Sequence, residues 1–117
     1  MKVLAYAMDL VDDPVVIESY KYYHKNIYEE VLRAGEQQGI RKQAIYRCGN
    51  RLFMIMEVED FYSESNMACE NVSDREREWD EIMRKMQLPL QARQPGEWWA
   101  KMEKVFDRTW FCQNEEC

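Results

Sequence analysis

The sequence predicts a single α+β domain with the element order β-α-β-β-α-β and an antiparallel sheet. Three observations predict it. The length of 117 residues suits one domain, short apolar runs alternate with segments of helical periodicity, and two of those runs are joined by a Gly-Asn turn. We expect the domain to span residues 1–112 and the polar tail, residues 113–117, to be frayed.

The first two predicted elements are a strand and a long helix. Residues 3–8 are apolar and are followed by Asp9, a poor strand residue. Asp-Asp-Pro at 12–14 is a typical helix start and Gly39 a typical helix end, so one helix is predicted over residues 14–38. Its buried face should carry apolar residues at three- and four-residue spacing: Val16, Tyr20, Tyr23, Ile27, Val31 and Ala34.

The middle of the chain predicts a hairpin. Residues 41–48 alternate in polarity, Gly49 and Asn50 form a tight turn, and residues 51–59 are a second apolar run.

A second helix and a last strand complete the prediction. The helix is expected over about residues 63–86, with a break near 71–74 where a new cap would fit, and the strand lies within 99–110, around Val105 and Phe106. The helix's buried stripe would contain Met67, Val72, Trp79, Ile82, Met83 and Met86. This order is the ferredoxin-like arrangement. Because the strands are apolar on both sides, we expect the uncovered sheet face to pack against a second copy in a homodimer.

Charge and hydropathy exclude several classes of partner. The formal net charge is -6 with no basic stripe, which argues against nucleic acid and against anionic membrane surfaces. No run approaches the roughly 18 apolar residues of a membrane span, and the N-terminus lacks the features of a secretory signal. We therefore expect a cytoplasmic protein that binds a small uncharged or cationic ligand or a protein partner, although the charge could equally serve solubility alone.

Neither a metal site nor a cofactor site is predicted. The chain has four cysteines and one histidine, and no pair of cysteines has CxxC spacing. A disulfide framework would require an extracellular setting, so free thiols are expected. Motifs for phosphate binding, dinucleotide binding, serine hydrolysis and zinc proteolysis are absent from the sequence. Acidic pairs such as Glu29 and Glu30 are read as solvated surface rather than as a glycosidase dyad.

The candidate chemistry centres on the single histidine. Tyr20, His24 and Tyr28 are four residues apart, so the imidazole lies between two phenols on one helical face. Histidine titrates near neutral pH and serves as acid or base there. From spacing alone, a surface histidine beside core tyrosines is the favoured interpretation.

Four tryptophans also stand out, because flat aromatic rings suit the C–H faces of sugars. They are Trp79, Trp98, Trp99 and Trp110. Each could instead belong to the core or to a dimer interface.

Nearly the whole chain resembles a known family, the L-rhamnose mutarotases. Segment 17–30 is similar to the family's Tyr-x-x-x-His signature, and the hairpin around residues 44–54 is similar to its second and third strands. Glu78-Trp79 falls where the family has a Trp-Trp pair, and residues 102–106 resemble its closing Glu-x-Val-Phe.

The resemblance implies a dimeric ferredoxin-like fold and anomer interconversion of a free deoxy-sugar without metal or cofactor. It implies that His24 is the acid/base residue with Tyr20 beside it, and that Trp79 walls the sugar. Two positions depart from the family: Glu78 replaces a tryptophan and Gln43 replaces a tyrosine, so the sugar need not be L-rhamnose, and L-fucose is a reasonable second choice. Trp98 and Trp99 are candidates for the replaced aromatic wall.

The remaining substrate-binding candidates are polar or aromatic residues near these positions: Gln43, Tyr46, Glu78 and Tyr28. Two other functions remain open at this stage, since small ferredoxin-like domains also act as ligand-binding modules and as monooxygenases of aromatic substrates.

Overall fold

The computed structural model describes residues 1–64 and 73–111. It contains five strands and three helices in this order: β1 (Lys2–Leu10), α1 (Pro14–Lys25), α2 (Glu29–Gln38), β2 (Ile40–Cys48), β3 (Arg51–Val58), α3 (Asp74–Met86), β4 (Gln87–Leu88) and β5 (Ala100–Lys101), followed by a 3₁₀ turn at Arg108–Phe111. The sheet order is β2-β3-β1-β4, with β5 also paired to β1, and all pairings are antiparallel. The predicted ferredoxin-like α+β fold is confirmed.

Helix caps lie where the sequence indicates them. The Asp13 carboxylate accepts a hydrogen bond from the backbone N–H of Val15 at 2.8 Å, ahead of Pro14 in the first turn. Gly39 ends α2 with φ 99°, a left-handed conformation that favours glycine. Ser73 caps α3 and forms a capping box with Glu76, which confirms the predicted new helix start.

The single helix predicted over residues 14–38 is wrong, because the structure divides it in two. Both the backbone N–H and the side-chain amide of Asn26 donate to the carbonyl of Tyr22, at 3.0 and 2.9 Å. This local bonding ends α1, since Asn26 adopts φ -125° and ψ 45° rather than helical angles. Tyr28 then precedes α2 in an extended conformation.

The predicted last strand around Val105 and Phe106 is also wrong. Pairing with β1 involves only Ala100 and Lys101, with one further bond from Met102, while Val105 and Phe106 are exposed. The Asp107 carboxylate accepts bonds from Lys104 and Thr109, which hold the chain in the following 3₁₀ turn.

The core lies between one face of the sheet and the helices. Alternate residues of β1 and β3 are buried there: Leu4, Tyr6, Met8, Leu10, Leu52, Met54, Met56 and Val58. From the helices come Tyr20, Met83 and Met86 with half-buried Trp79 and Ile82, as the periodicity predicts; Met67 and Val72 lie outside the described residues.

Most of the opposite sheet face is uncovered by the described part of the chain, although Ala7 on it is buried, and we call it the open sheet face. Val3, Tyr46 and Ile55 are 57%, 62% and 44% exposed on it.

Asp9 does not end β1 as expected but lies inside it, where Arg51 binds its carboxylate at 2.7 and 3.1 Å. Across the described ranges, no helix is long and apolar enough to cross a membrane.

Candidate functional site

Helix α1 places Tyr20 and His24 on its core-facing side, one turn apart. Tyr20 is buried among residues of β1, β3 and α3, while His24 is half-buried at the edge of this cluster. The two ring centroids are 4.3 Å apart with an interplanar angle of 32°. The predicted juxtaposition of imidazole and phenol is therefore present in the fold.

A backbone hydrogen bond fixes the tautomer of His24. Its Nδ1 lies 2.8 Å from the carbonyl oxygen of Tyr20, and a carbonyl only accepts, so Nδ1 carries the proton. In the neutral ring Nε2 is then the unprotonated, basic nitrogen. Burial lowers the pKa of His24 below its ordinary value of 6.5, partly opposed by the bond to Tyr20. The imidazole is consequently neutral at pH 7 and able to accept a proton.

Helix α3 supplies an aromatic wall. The indole of Trp79 lies edge-on to His24, with ring centroids 5.2 Å apart. Tyr28 and Tyr23 pack against the same indole at 5.3 and 6.2 Å. The Arg75 guanidinium lies 3.6 Å from the centre of the Tyr28 ring, and this contact stabilises the position of Tyr28 next to Trp79.

Two adjoining cavities open beside these residues, with volumes of about 400 Å³ and about 210 Å³. Five of the lining residues are common to both cavities: Tyr20, His24, Gln43, Ile45 and Trp79. The larger cavity falls in the size range of small-molecule sites and combines apolar walls with a few polar groups. A depression of about 600 Å³ beside Pro14 and Val15 is wider open and has no imidazole, so we favour the His24 cavities as the site.

The structure thus brings four of the predicted site residues together: Tyr20, His24, Gln43 and Trp79. Gln43 donates its amide N–H to the sulfur of Met54 at 3.2 Å, so its amide oxygen is the atom of this side chain that can accept a hydrogen bond.

The other three predicted residues lie outside the lining of these two cavities. Tyr28 packs against the indole of Trp79 and lines neither cavity. Tyr46 lies on the open sheet face, because neighbouring strand residues point to opposite faces and Ile45 points to the cavity. Glu78 is exposed on α3 and binds Arg75 at 3.0 Å.

Three residues that follow α3 in the chain, Gln87, Trp98 and Trp99, also line the smaller cavity. Trp98 and Trp99 line the smaller cavity, in agreement with their role as candidate replacements for the missing aromatic wall. Gln87 also lines it, and sequence reasoning missed this residue. Its hydrogen-bond partner Tyr20 is 67 residues away along the chain, so no local pattern could have indicated the contact.

Within residues 1–64 and 73–111, the cavities are lined by no cysteine and by no cluster of metal-binding side chains. No group of histidine, cysteine and acidic residues there could hold a metal ion. Cys48 is an exposed free thiol, and the other three cysteines lie outside the described residues.

Comparisons with known proteins found one family model and similar proteins from several organisms. The family model described as L-rhamnose mutarotase matches residues 4–108. An L-fucose mutarotase of Xanthomonas campestris pv. campestris is 33% identical over 91% of this chain and 87% of its own length. A UPF0734 protein of Dictyostelium discoideum is 40% identical over 97% of this chain and 95% of its own length.

Solved structures share the fold at lower identity. The L-rhamnose mutarotase FA22100 of Formosa agariphila has a TM-score of 0.63 at 20% identity, covering 92% of this chain and 98% of its own. The tetracenomycin F2 cyclase of Streptomyces glaucescens has a TM-score of 0.60 at 14% identity, covering 92% and 96%. Since the family model spans nearly the whole chain and a named mutarotase is a close relative in sequence, this chain belongs to the L-rhamnose mutarotase family.

Proposed function

We propose that this protein interconverts the α and β anomers of a free deoxy-sugar, L-fucose or L-rhamnose, by acid/base ring opening and reclosure. The observation that carries the proposal is the hydrogen bond from Nδ1 of His24 to the Tyr20 carbonyl, which makes Nε2 a base beside a buried phenol. Membership of a mutarotase family and the L-fucose mutarotase relative support the reaction and the two sugars.

Ring opening requires a base and an acid side by side, because the anomeric hydroxyl and the ring oxygen are bonded to the same carbon. His24 Nε2 takes the proton from O1, the C1–O5 bond breaks as C1=O1 forms, and Tyr20 gives its proton to O5. Burial raises the pKa of Tyr20 to about 12, so the phenol is protonated at neutral pH and serves as the donor.

Reclosure reverses these transfers on the other face of the carbonyl. After rotation about C1–C2, O5 attacks C1, the Tyr20 phenolate recovers the proton from O5, and the His24 imidazolium returns the other proton to O1. No proton is gained or lost over the cycle. Positioned acid–base groups of this kind contribute typically about 10²–10⁴-fold to a rate.

The lining of the cavities suits a sugar with an apolar face. Trp79 and Ile45 offer apolar surface for the C–H groups of a deoxy-sugar, and Gln43 offers an amide oxygen for a hydroxyl. Glu78 remains a proposed hydroxyl-binding residue only in a closed form that brings it to the sugar, whereas Tyr46, on the open sheet face, would contact the second copy instead.

The open sheet face supports a homodimer. It exposes Val3, Tyr46 and Ile55 on adjacent strands. In a two-fold dimer the same face of a second copy would pack against these residues. An exposed thiol at Cys48 suits a reducing compartment, and we place the protein in the cytoplasm on that ground.

Saturation-transfer NMR on equilibrated L-fucose and L-rhamnose tests the function directly. Saturating one anomeric proton should reduce the signal of the other only when the protein is present, and the larger effect identifies the preferred sugar. Buffer without protein measures the spontaneous reaction. An absence of transfer with both sugars and with other deoxy-sugars would contradict the proposal and favour a non-catalytic binding module.

A further inference from the structure

Gln87 is the buried polar residue of the described part of the chain, with 7% of its surface exposed. It follows the last residue of α3 and pairs with Leu10 at the edge of β1, which brings its side chain to the smaller cavity. A buried amide without partners would be strongly destabilising. Its two hydrogen bonds therefore identify what the residue does in the fold.

The direction of both hydrogen bonds follows from chemistry. The indole Nε1–H of Trp98 can only donate, so the group it contacts at 2.8 Å is the amide oxygen of Gln87. This assigns the amide nitrogen to the other side, 3.3 Å from the phenol oxygen of Tyr20. An amide nitrogen donates and does not accept, so Tyr20 is the acceptor of this bond and its own O–H hydrogen remains for a different acceptor.

Trp98 is itself held in place. The Arg84 guanidinium lies 4.4 Å from the centre of its ring, and Arg84 is bound to Asp80 one helical turn earlier at 2.8 Å. The indole N–H is thereby directed at Gln87 from a supported position. The chain of donors runs in one direction, from Trp98 through Gln87 to Tyr20.

We infer that Gln87 is a positioning residue that holds the Tyr20 phenol with its proton directed at the sugar ring oxygen, an inference that rests on the proposed function. Both Tyr20 and Gln87 line the smaller cavity, so a ligand there is in position to accept the phenol proton. The same amide N–H stabilises the negative charge that develops on the phenol oxygen as its proton leaves.

A double-mutant cycle on the whole protein tests this role, with the anomer exchange rate at saturating sugar measured by NMR. Gln87→Met keeps the length of the side chain but removes both hydrogen bonds, and we expect the rate to fall about tenfold with little change in sugar affinity. In a Tyr20→Phe background the same substitution should have no further effect, because Gln87 acts through the phenol. Gln94→Met, at an exposed glutamine, is the matched control and should keep the wild-type rate.

The outcomes separate the inference from the proposed function. If the wild-type protein does not accelerate exchange, the proposed function fails. If it does, and Gln87→Met either keeps the full rate or lowers it equally with and without the Tyr20 hydroxyl, the positioning role is wrong and Gln87 is a packing residue.

A second variant covers the case in which Gln87→Met does not fold. In Gln87→Glu an ionised carboxylate would accept from both Trp98 and Tyr20 and so hold the phenol proton away from the sugar. We expect a rate below that of wild type at the alkaline end of the pH profile, which recovers towards wild type as the pH falls and the buried carboxyl becomes protonated. A pH profile identical to that of wild type would overturn the inference.

Discussion

His24 donates its Nδ1–H to the carbonyl oxygen of Tyr20, four residues earlier on the same helix, over 2.8 Å. The bond orients the ring and leaves Nε2 as the basic nitrogen in a cavity that the Tyr20 side chain also lines. In the proposed reaction one residue thus contributes twice, through its backbone carbonyl to the base and through its phenol to the acid. The proposal gives the four-residue spacing of tyrosine and histidine a specific chemical use.

Replacing His24 should remove most of the catalysis. His24→Gln keeps a polar side chain of similar length but has no nitrogen that accepts a proton at neutral pH, so we expect a loss of about 10²-fold or more in the exchange rate. Saturation-transfer NMR measures the rate, and circular dichroism verifies the fold. Lys25→Gln, on the exposed neighbouring residue, should behave as wild type. Full exchange by His24→Gln would contradict the assignment of the base.

The pH dependence of the reaction should show the ionisation of His24. Burial lowers the pKa of this imidazole below 6.5, so the neutral, accepting form prevails at pH 7 and above. We expect an exchange rate that is constant from pH 7 to 8 and falls only below pH 6.5, as the ring becomes protonated. The spontaneous rate must be subtracted at each pH. A fall that is still present in His24→Gln would show that another group is responsible.

The fold could be predicted largely from local signals. Asp13 with Pro14, Gly39, and the Gly49 turn each set a boundary through the conformation of a few neighbouring residues, and the structure has all three. The errors concern competing local bonds. Asn26 closes a helix through its own side chain, and Asp107 holds a turn where the apolar pair at 105–106 indicated a strand.

Helical spacing alone predicted the pair Tyr20 and His24, whereas Gln43 and Trp79 were predicted from the resemblance to the family. Tyr20 and His24 are one turn apart, and Gln43 shares the cavity face of β2 with Ile45. Gln87 was not predictable, because its partners Tyr20 and Trp98 meet it through the tertiary fold. Strand alternation does place Tyr46 on the open face, although the sequence alone does not reveal which face of β2 borders the cavity.

Two glycines with positive φ should differ in their tolerance of alanine. An added Cβ at Gly39, φ 99°, would lie 3.0 Å from the Phe61 ring and 3.2 Å from Glu59 Cβ, whereas at Gly49, φ 61°, nothing lies within 4 Å. We expect Gly49→Ala to cost about 1 kcal/mol in the free energy of unfolding, from backbone strain alone, and Gly39→Ala about 2 kcal/mol or more.

Urea denaturation measures both losses. Phe61 is 66% exposed, so its ring can be removed at little cost. Phe61→Ala should therefore restore part of the stability lost in Gly39→Ala and leave Gly49→Ala unchanged. Equal losses at the two glycines would show that backbone strain, and not the contact with Phe61, decides the cost.

The open sheet face should be the interface between two copies of the chain. Ile55 lies in the middle of β3 on this face and is 44% exposed in the single chain. A lysine there would place a charge inside the interface, where burying it without a partner is costly. We expect the wild-type protein to have about twice the 14.2 kDa mass of the chain in light scattering after size-exclusion chromatography, and Ile55→Lys to have the mass of one chain. Leu32 is also apolar and is 57% exposed, but it lies on α2, so the control variant Leu32→Lys should stay dimeric. Should Ile55→Lys remain dimeric as well, the interface must lie elsewhere, and Tyr46 would then have no second copy against it.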